Sequence, residues 1–134
     1  MKKIGIHGST GSIGTQALEI IRNDKNISCV YLSAFSNVDL LINQSKEFKP
    51  QYICLVDESK KDYLRDQLSS FNIEILFGQT GLKEISKIKN IDLMLNALVF
   101  HNLDYLNSHQ PFHVFCNILQ MEINLNHIQF LYYL

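Results

Sequence analysis

Residues 8–14 read Gly8-Ser9-Thr10-Gly11-Ser12-Ile13-Gly14, and this stretch decides the fold. Its glycines recur at every third position, between an apolar run at 3–7 that reads as a strand and an amphipathic stretch at 12–23 that reads as a helix. That is a variant of the dinucleotide-binding fingerprint. Gly8 would make the tight turn, Gly11 would let a diphosphate approach the backbone, and Gly14 would let the helix pack closely on the sheet. Free amides at the helix start, at the positive end of its dipole, then face the phosphate charge. Thr10 and Ser12 add hydroxyl donors. A purely structural glycine turn would not need strand, loop and helix in this order, so the binding reading is preferred.

Working outward, short β-branched apolar runs alternate with longer amphipathic stretches as far as residue 99. Strands are expected at 3–7, 29–34, 52–56, 73–77 and 92–99, each short and apolar enough to be buried on both faces. Crossover helices are expected at 12–23, 38–48, 59–69 and 82–88, the third introduced by Asp57-Glu58-Ser59. Right-handed crossovers would gather these strands into one parallel sheet with helices on both faces. The fold class is therefore α/β, a Rossmann-type doubly wound sheet forming a single, incomplete domain over residues 1–99.

The end of the second expected strand carries the next clue. An NAD-specific domain usually places an acid there to hold the ribose hydroxyls, whereas this chain reads Ser33-Ala34-Phe35-Ser36-Asn37, with no acid before Asp39. Without that carboxylate a 2′-phosphate is not repelled, and Ser36, Asn37 and the amides opening the next helix can donate to it. NADP is favoured over NAD. Ser36 and Asn37 also have an ordinary task as helix caps, compatible with either cofactor.

Composition narrows the remaining classes. A net charge of −1 with no dominant basic cluster argues against nucleic acid and anionic membranes as partners. Cys29, Cys54 and Cys116 are far apart, without disulfide or metal-ligand spacing, which fits a reducing, cytoplasmic setting. No stretch approaches a membrane span, and the chain opens directly into a strand without a signal peptide. Asp57, Glu58, Asp62 and Glu84 read as solvated surface charges. His7, directly before Gly8, reads as a strand-end residue near the cofactor. His109 and His113 lie one helical turn apart, but Pro111 between them disfavours a helix and no third ligand is in register, so no metal site is assigned.

After residue 99 the sequence changes character. Residues 100–134 contain no Lys, Arg or Gly and hold four of the five histidines (His101, His109, His113, His127). An alternation of Met121, Ile123 and Leu125 suggests a strand, and Phe130-Leu131-Tyr132-Tyr133-Leu134 is apolar without a flanking charge. A reading-frame change or a truncated gene is the expected origin of this tail.

The run Ile4-Gly5-Ile6-His7-Gly8-Ser9-Thr10-Gly11-Ser12-Ile13-Gly14-Thr15-Gln16-Ala17-Leu18 closely resembles the amino-terminal motif of the 1-deoxy-D-xylulose 5-phosphate reductoisomerase family. Leu32-Ser33-Ala34, Ser36-Asn37-Val38, Phe48-Lys49-Pro50, Asp57-Glu58-Ser59, the stretch from Gly78 to Leu82, and Asn96-Ala97-Leu98-Val99 stand in family order as well. The resemblance covers residues 1–99. It implies NADPH as cofactor, with Thr10, Gly11, Ser12 and Ile13 on its phosphates and Ser36 and Asn37 beside the 2′-phosphate. It also implies a homodimeric enzyme of non-mevalonate isoprenoid synthesis. That enzyme uses a divalent metal (manganese or magnesium) to rearrange its substrate, and reduces it to 2-C-methyl-D-erythritol 4-phosphate. Two departures stand out. Phe35 occupies a place where the family commonly has Gly, so a positive φ or a close backbone approach would be lost there. The Ala-Asn-Lys-Glu and Asp-Ser-Glu segments that carry the family's chemistry are absent, so no catalytic or metal-binding residue is assigned. Two alternatives remain. Another NADP-dependent reductase with the same glycine spacing, such as a semialdehyde dehydrogenase, would need a catalytic cysteine, and Cys116 is a poor candidate. A non-catalytic nucleotide-binding or inert fragment needs none.

Overall fold

In a computed structural model of the protein, residues 1–97 are described. Five strands alternate with four helices: β1 (Lys2–His7), α1 (Ser12–Asn23), β2 (Ile27–Ala34), α2 (Val38–Phe48), β3 (Tyr52–Leu55), α3 (Lys61–Gln67) behind a short 3-10 turn (Glu58–Lys60), β4 (Glu74–Phe77), α4 (Gly78–Ser86) and β5 (Leu93–Asn96). All pairings are parallel and the order is β4-β3-β2-β1-β5. The chain thus steps outward from β1 to β4 and returns through α4 to the far side of β1. Reversing the direction of a right-handed crossover moves its helix to the opposite face of the sheet.

The buried side chains divide accordingly. Ala17, Leu18 and Ile21 of α1, Leu41 and Ile42 of α2, and Leu64 of α3 pack with Ile4, Ile6, Leu32, Ile53, Leu55 and Leu95 in one apolar layer. Leu82 and Ile85 of α4 pack with Tyr31, Cys54 and Met94 in the other. Consecutive strand residues such as Ile53 and Cys54, or Met94 and Leu95, contribute to opposite layers, as the two-residue period of a strand requires. Cys29 and Cys54 are buried, unbridged core residues.

A register shift between Ile4 and Gly5 passes over Val30, so that Gly5 faces Tyr31 and His7 faces Ser33. A Cβ on Gly5 would lie 2.1 Å from the Tyr31 ring. The missing side chain is what admits the tyrosine beneath the end of β1.

The spans of α1 and α2 coincide with those read from the sequence, while the other two helices are corrected. The expected helix at 59–69 opens as a 3-10 turn, capped by Asp57 Oδ1 accepting from the Ser59 amide at 3.0 Å, and α3 ends at Gln67 before the poor helix formers Ser69-Ser70. The expected helix at 82–88 begins at Gly78 and ends at Ser86. Gly81 does not make a turn. It lies inside α4 because a Cβ there would be 3.0 Å from Leu76 and 3.2 Å from Cys54 Sγ. β2 starts at Ile27 and β1 at Lys2, each ahead of expectation. β3, β4 and β5 are trimmed to Leu55, to a start at Glu74, and to a start at Leu93. Residues 98–134, with the tail's expected strand, its histidines and Cys116, lie outside the described residues. No helix among the described residues is long and apolar enough to cross a membrane.

Candidate functional site

The glycine loop leaves β1 between β2 and β5, at the carboxyl ends of the strands, where the chain's winding direction reverses. Such a switch point opens a crevice in a doubly wound sheet.

Three glycines divide the work in the loop. Gly8 has φ of +76°, a turn conformation that L side chains rarely adopt. Gly14 is buried, and a Cβ there would fall 2.2 Å from Gly8 O and 2.6 Å from Ser9 Cα, so its absence lets α1 rest on the loop. Gly11 differs from both. It is exposed, with an ordinary φ of −76°, and a Cβ would have only Gly8 O nearby, at 3.6 Å. Neither its conformation nor packing among the described residues requires a glycine at this position.

Gly11 is also the N-cap of α1, and it brings no side-chain hydrogen bond to the cap. The first turn of the helix carries no acid. The Thr15 amide makes the first bond of the helix, to Gly11 O at 2.9 Å. The amides of Ser12, Ile13 and Gly14 come before that bond, in the turn where helical donors lack intrahelical partners. Ser12 is exposed, while Thr10 and Ile13 are half-buried at the rim.

The loop is anchored from both faces of the sheet. On the α4 side, the Gly8 amide donates to Ser33 Oγ at 3.3 Å, and the Ser33 hydroxyl also lies 3.3 Å from His7 Nδ1. His7 is fully buried, with Nε2 3.0 Å from the Tyr31 hydroxyl and 3.4 Å from Ser86 Oγ. A neutral imidazole accepting from Tyr31 at Nε2 and donating to Ser33 from Nδ1 satisfies this arrangement. Burial pushes the Tyr31 phenol well above its ordinary range. On the α2 side, Ser9 Oγ donates to Gln44 Oε1 at 2.7 Å, and Gln44 Nε2 donates back to Ser9 O at 2.9 Å. Sequence reasoning placed His7 near the cofactor but assigned no role to Ser33 or Gln44. The available signal was one polar residue inside an apolar strand and one on the apolar side of a helix.

At the end of β2, Phe35, Ser36 and Asn37 are exposed. Asn37 caps α2, its Oδ1 accepting from the Leu40 amide at 3.3 Å, which leaves the side-chain NH2 as a donor. Phe35 does not have a positive φ, so its backbone makes no demand for the glycine common in the family. Its carbonyl accepts from the Asp57 amide at 2.7 Å. Asp39, the first acid after the strand, accepts from the Tyr63 hydroxyl at 3.0 Å, and this hydrogen bond, followed by the carboxylate's charge, raises the Tyr63 phenol. Asp57 sits below the usual carboxylate range because the Ser59 amide and hydroxyl bond to it. Among the described residues, no three His, Cys, Asp or Glu side chains gather to hold a metal ion.

A parallel doubly wound sheet with a glycine loop and an open helix start at its switch point defines a Rossmann-type dinucleotide-binding domain. The chain belongs to the 1-deoxy-D-xylulose 5-phosphate reductoisomerase family, which it matches over residues 4–102. It is 48% identical over 99 residues to the 1-deoxy-D-xylulose 5-phosphate reductoisomerase of Thermoanaerobacter sp. strain X514, covering 73% of this chain and 25% of that protein. It is 42% identical over 99 residues to the one from Agathobacter rectalis, covering 74% and 26%. A crystal structure of DOX-P reductoisomerase with NADPH, fosmidomycin and magnesium superposes with a TM-score of 0.68 at 33% identity, over 73% of this chain and 24% of that one. The chain spans about a quarter of the length of the curated relatives it matches.

Proposed function

We propose that this chain binds NADPH as the cofactor-binding part of a 1-deoxy-D-xylulose 5-phosphate reductoisomerase. Gly8, Thr10, Gly11, Ser12, Ile13 and Gly14 form the diphosphate cradle, and Ser36 and Asn37 receive the 2′-phosphate. One observation carries the reading: Gly11 is a glycine that neither its φ nor its neighbours demand, at the mouth of an uncapped helix. A ligand brought against the backbone there accounts for it.

NADPH, once bound, is a hydride donor. What this chain contributes is binding and orientation. Amides at the start of α1 meet the diphosphate where the helix dipole favours negative charge. Ser36 and the Asn37 NH2 donate to the 2′-phosphate, and the first acid after them in the sequence, Asp39, is bonded to Tyr63 on α3. The described residues do not fit the divalent metal that the complete reaction uses, so no step through a metal is assigned to them. Rearrangement and reduction to 2-C-methyl-D-erythritol 4-phosphate in the cytoplasm, by a homodimer, are activities of the full-length enzyme.

Calorimetric titration of the chain tests the reading. Saturable one-to-one binding of NADPH, about tenfold or more tighter than NADH, is expected, since each tenfold corresponds to about 1.4 kcal/mol of 2′-phosphate contact. No NADPH oxidation is expected with the deoxyxylulose substrate and manganese. Absence of binding at millimolar NADPH would favour an inert fragment, and steady turnover would refute the assignment of binding without catalysis.

A further inference from the structure

Ser9 is the hub of the glycine loop. Its amide donates to Ser33 O on β2 at 2.8 Å, while its hydroxyl and carbonyl are both taken by the Gln44 amide on α2. Gly14 of α1 is seated against its Cα and carbonyl carbon. Ser9 is fully buried and Gln44 is 5% exposed. A buried carboxamide is costly unless paired, and an aliphatic side chain would fill the same space on α2 more cheaply. What the aliphatic side chain could not do is hold two atoms of one loop residue at fixed angles.

We infer that Gln44 is a positioning residue that locks the glycine loop to α2, so that the diphosphate cradle and the 2′-phosphate end of the site move as one body. The inference rests on the cofactor reading above. Asn37, at the N-terminal end of α2, and Gln44, two turns further on, belong to one rigid helix. A 2′-phosphate held at Asn37 therefore fixes, through Gln44 and Ser9, the directions of the Thr10–Gly14 backbone. Removing the clamp at constant volume should leave the adenosine end intact and loosen only the cradle.

The test compares the full chain with Gln44→Met and the milder Ser9→Ala. In the ligand-free protein, hydrogen exchange at the Ser9 and Gly11 amides should quicken about tenfold or more in Gln44→Met relative to amides in β3, and less in Ser9→Ala, which keeps the Gln44 bond to the carbonyl. In titrations followed by NMR, NADPH should bind about tenfold more weakly to Gln44→Met, with adenosine 2′-monophosphate, which lacks the diphosphate, changed less than twofold. Unchanged exchange in the variants overturns the inference whether or not any ligand binds. Equal weakening of both ligands overturns it too, since that marks general loss of structure. Failure of the unaltered chain to bind NADPH would instead refute the cofactor reading. Should Gln44→Met not fold, Ser9→Ala decides on the same readouts.

Discussion

At the scale of single residues, the loop separates two glycines that the fold requires, Gly8 and Gly14, from one, Gly11, whose conformation and described neighbours require no glycine. Alanine at Gly14 must push backbone atoms of Gly8 and Ser9, which cannot yield as a side-chain tip would. Gly14→Ala should therefore lower stability by about 2–3 kcal/mol, typical of overpacking, read from urea midpoints. Alanine at Gly11 meets Gly8 O at an ordinary contact distance of 3.6 Å and incurs little beyond the poorer N-cap preference, under about 1 kcal/mol. Its effect should appear in NADPH affinity, as a loss of about tenfold or more by calorimetry. Equal destabilisation by the two substitutions would mean that Gly11 serves the fold after all. The sequence displayed all three glycines, and their spacing told the roles of Gly8 and Gly14 correctly. It did not disclose the anchors beneath them. The Ser9–Gln44 contact spans 35 residues and pairs two side chains without a motif. The only hint was a glutamine on the same side of α2 as the buried Leu41 and Ile42.

At the scale of elements, legibility followed the strength of the end signals. α1 and α2 were readable at both ends because Gly11 and Asn37 stand at their starts, and Phe48-Lys49-Pro50 closes the second. The expected helix at 82–88 misses the first four residues of α4, because two of those four, Gly78 and Gly81, are poor helix formers. Packing of Gly81 against Leu76 and Cys54 overrides that local signal. The close of α2 carries a cost of its own. Lys49 is its C-cap, with φ 47° and ψ 54°, a left-handed conformation that non-glycine residues adopt at an energetic penalty. Lys49→Gly should raise stability by about 0.5–1 kcal/mol, measured as a higher urea midpoint with an unchanged slope. A fall in stability would show that the Lys49 side chain contributes more than its backbone conformation costs. On the neighbouring surface, Arg22 of α1 pairs with Glu47 of α2 and lies 5.6 Å from the centroid of the Phe48 ring. Both charged partners are exposed, so Glu47→Gln should shift stability by less than about 1 kcal/mol at moderate salt.

At the scale of the whole molecule, the sheet order was expected only as a class, because β-branched runs announce strands but not their neighbours. The return of β5 to the side of β1 gives the protein two cores, and each holds a cysteine. Burial raises both thiols, Cys29 and Cys54, from 9.0 to about 12, with the charge of Glu58 adding to the effect at Cys54, and it raises Tyr31 as well. A group whose folded pKa lies above its unfolded one keeps its proton in the native state while the unfolded chain releases it. Its stabilisation is complete below pH 9 and is lost as pH rises towards 12. Stability should accordingly fall above pH 9, by up to about 1.4 kcal/mol per pH unit for each thiol in that window, with Tyr31 adding its share above pH 10. Urea midpoints at pH 7.5, 9 and 10.5 measure the decline, and Cys29→Ala isolates one contributor: the variant should be less stable than the parent at pH 7.5, with the gap narrowing at pH 10.5. A gap that stays constant across this range would mean that the Cys29 thiol ionises in the folded protein as readily as in water, and that the layer formed by α1, α2 and α3 is open to solvent.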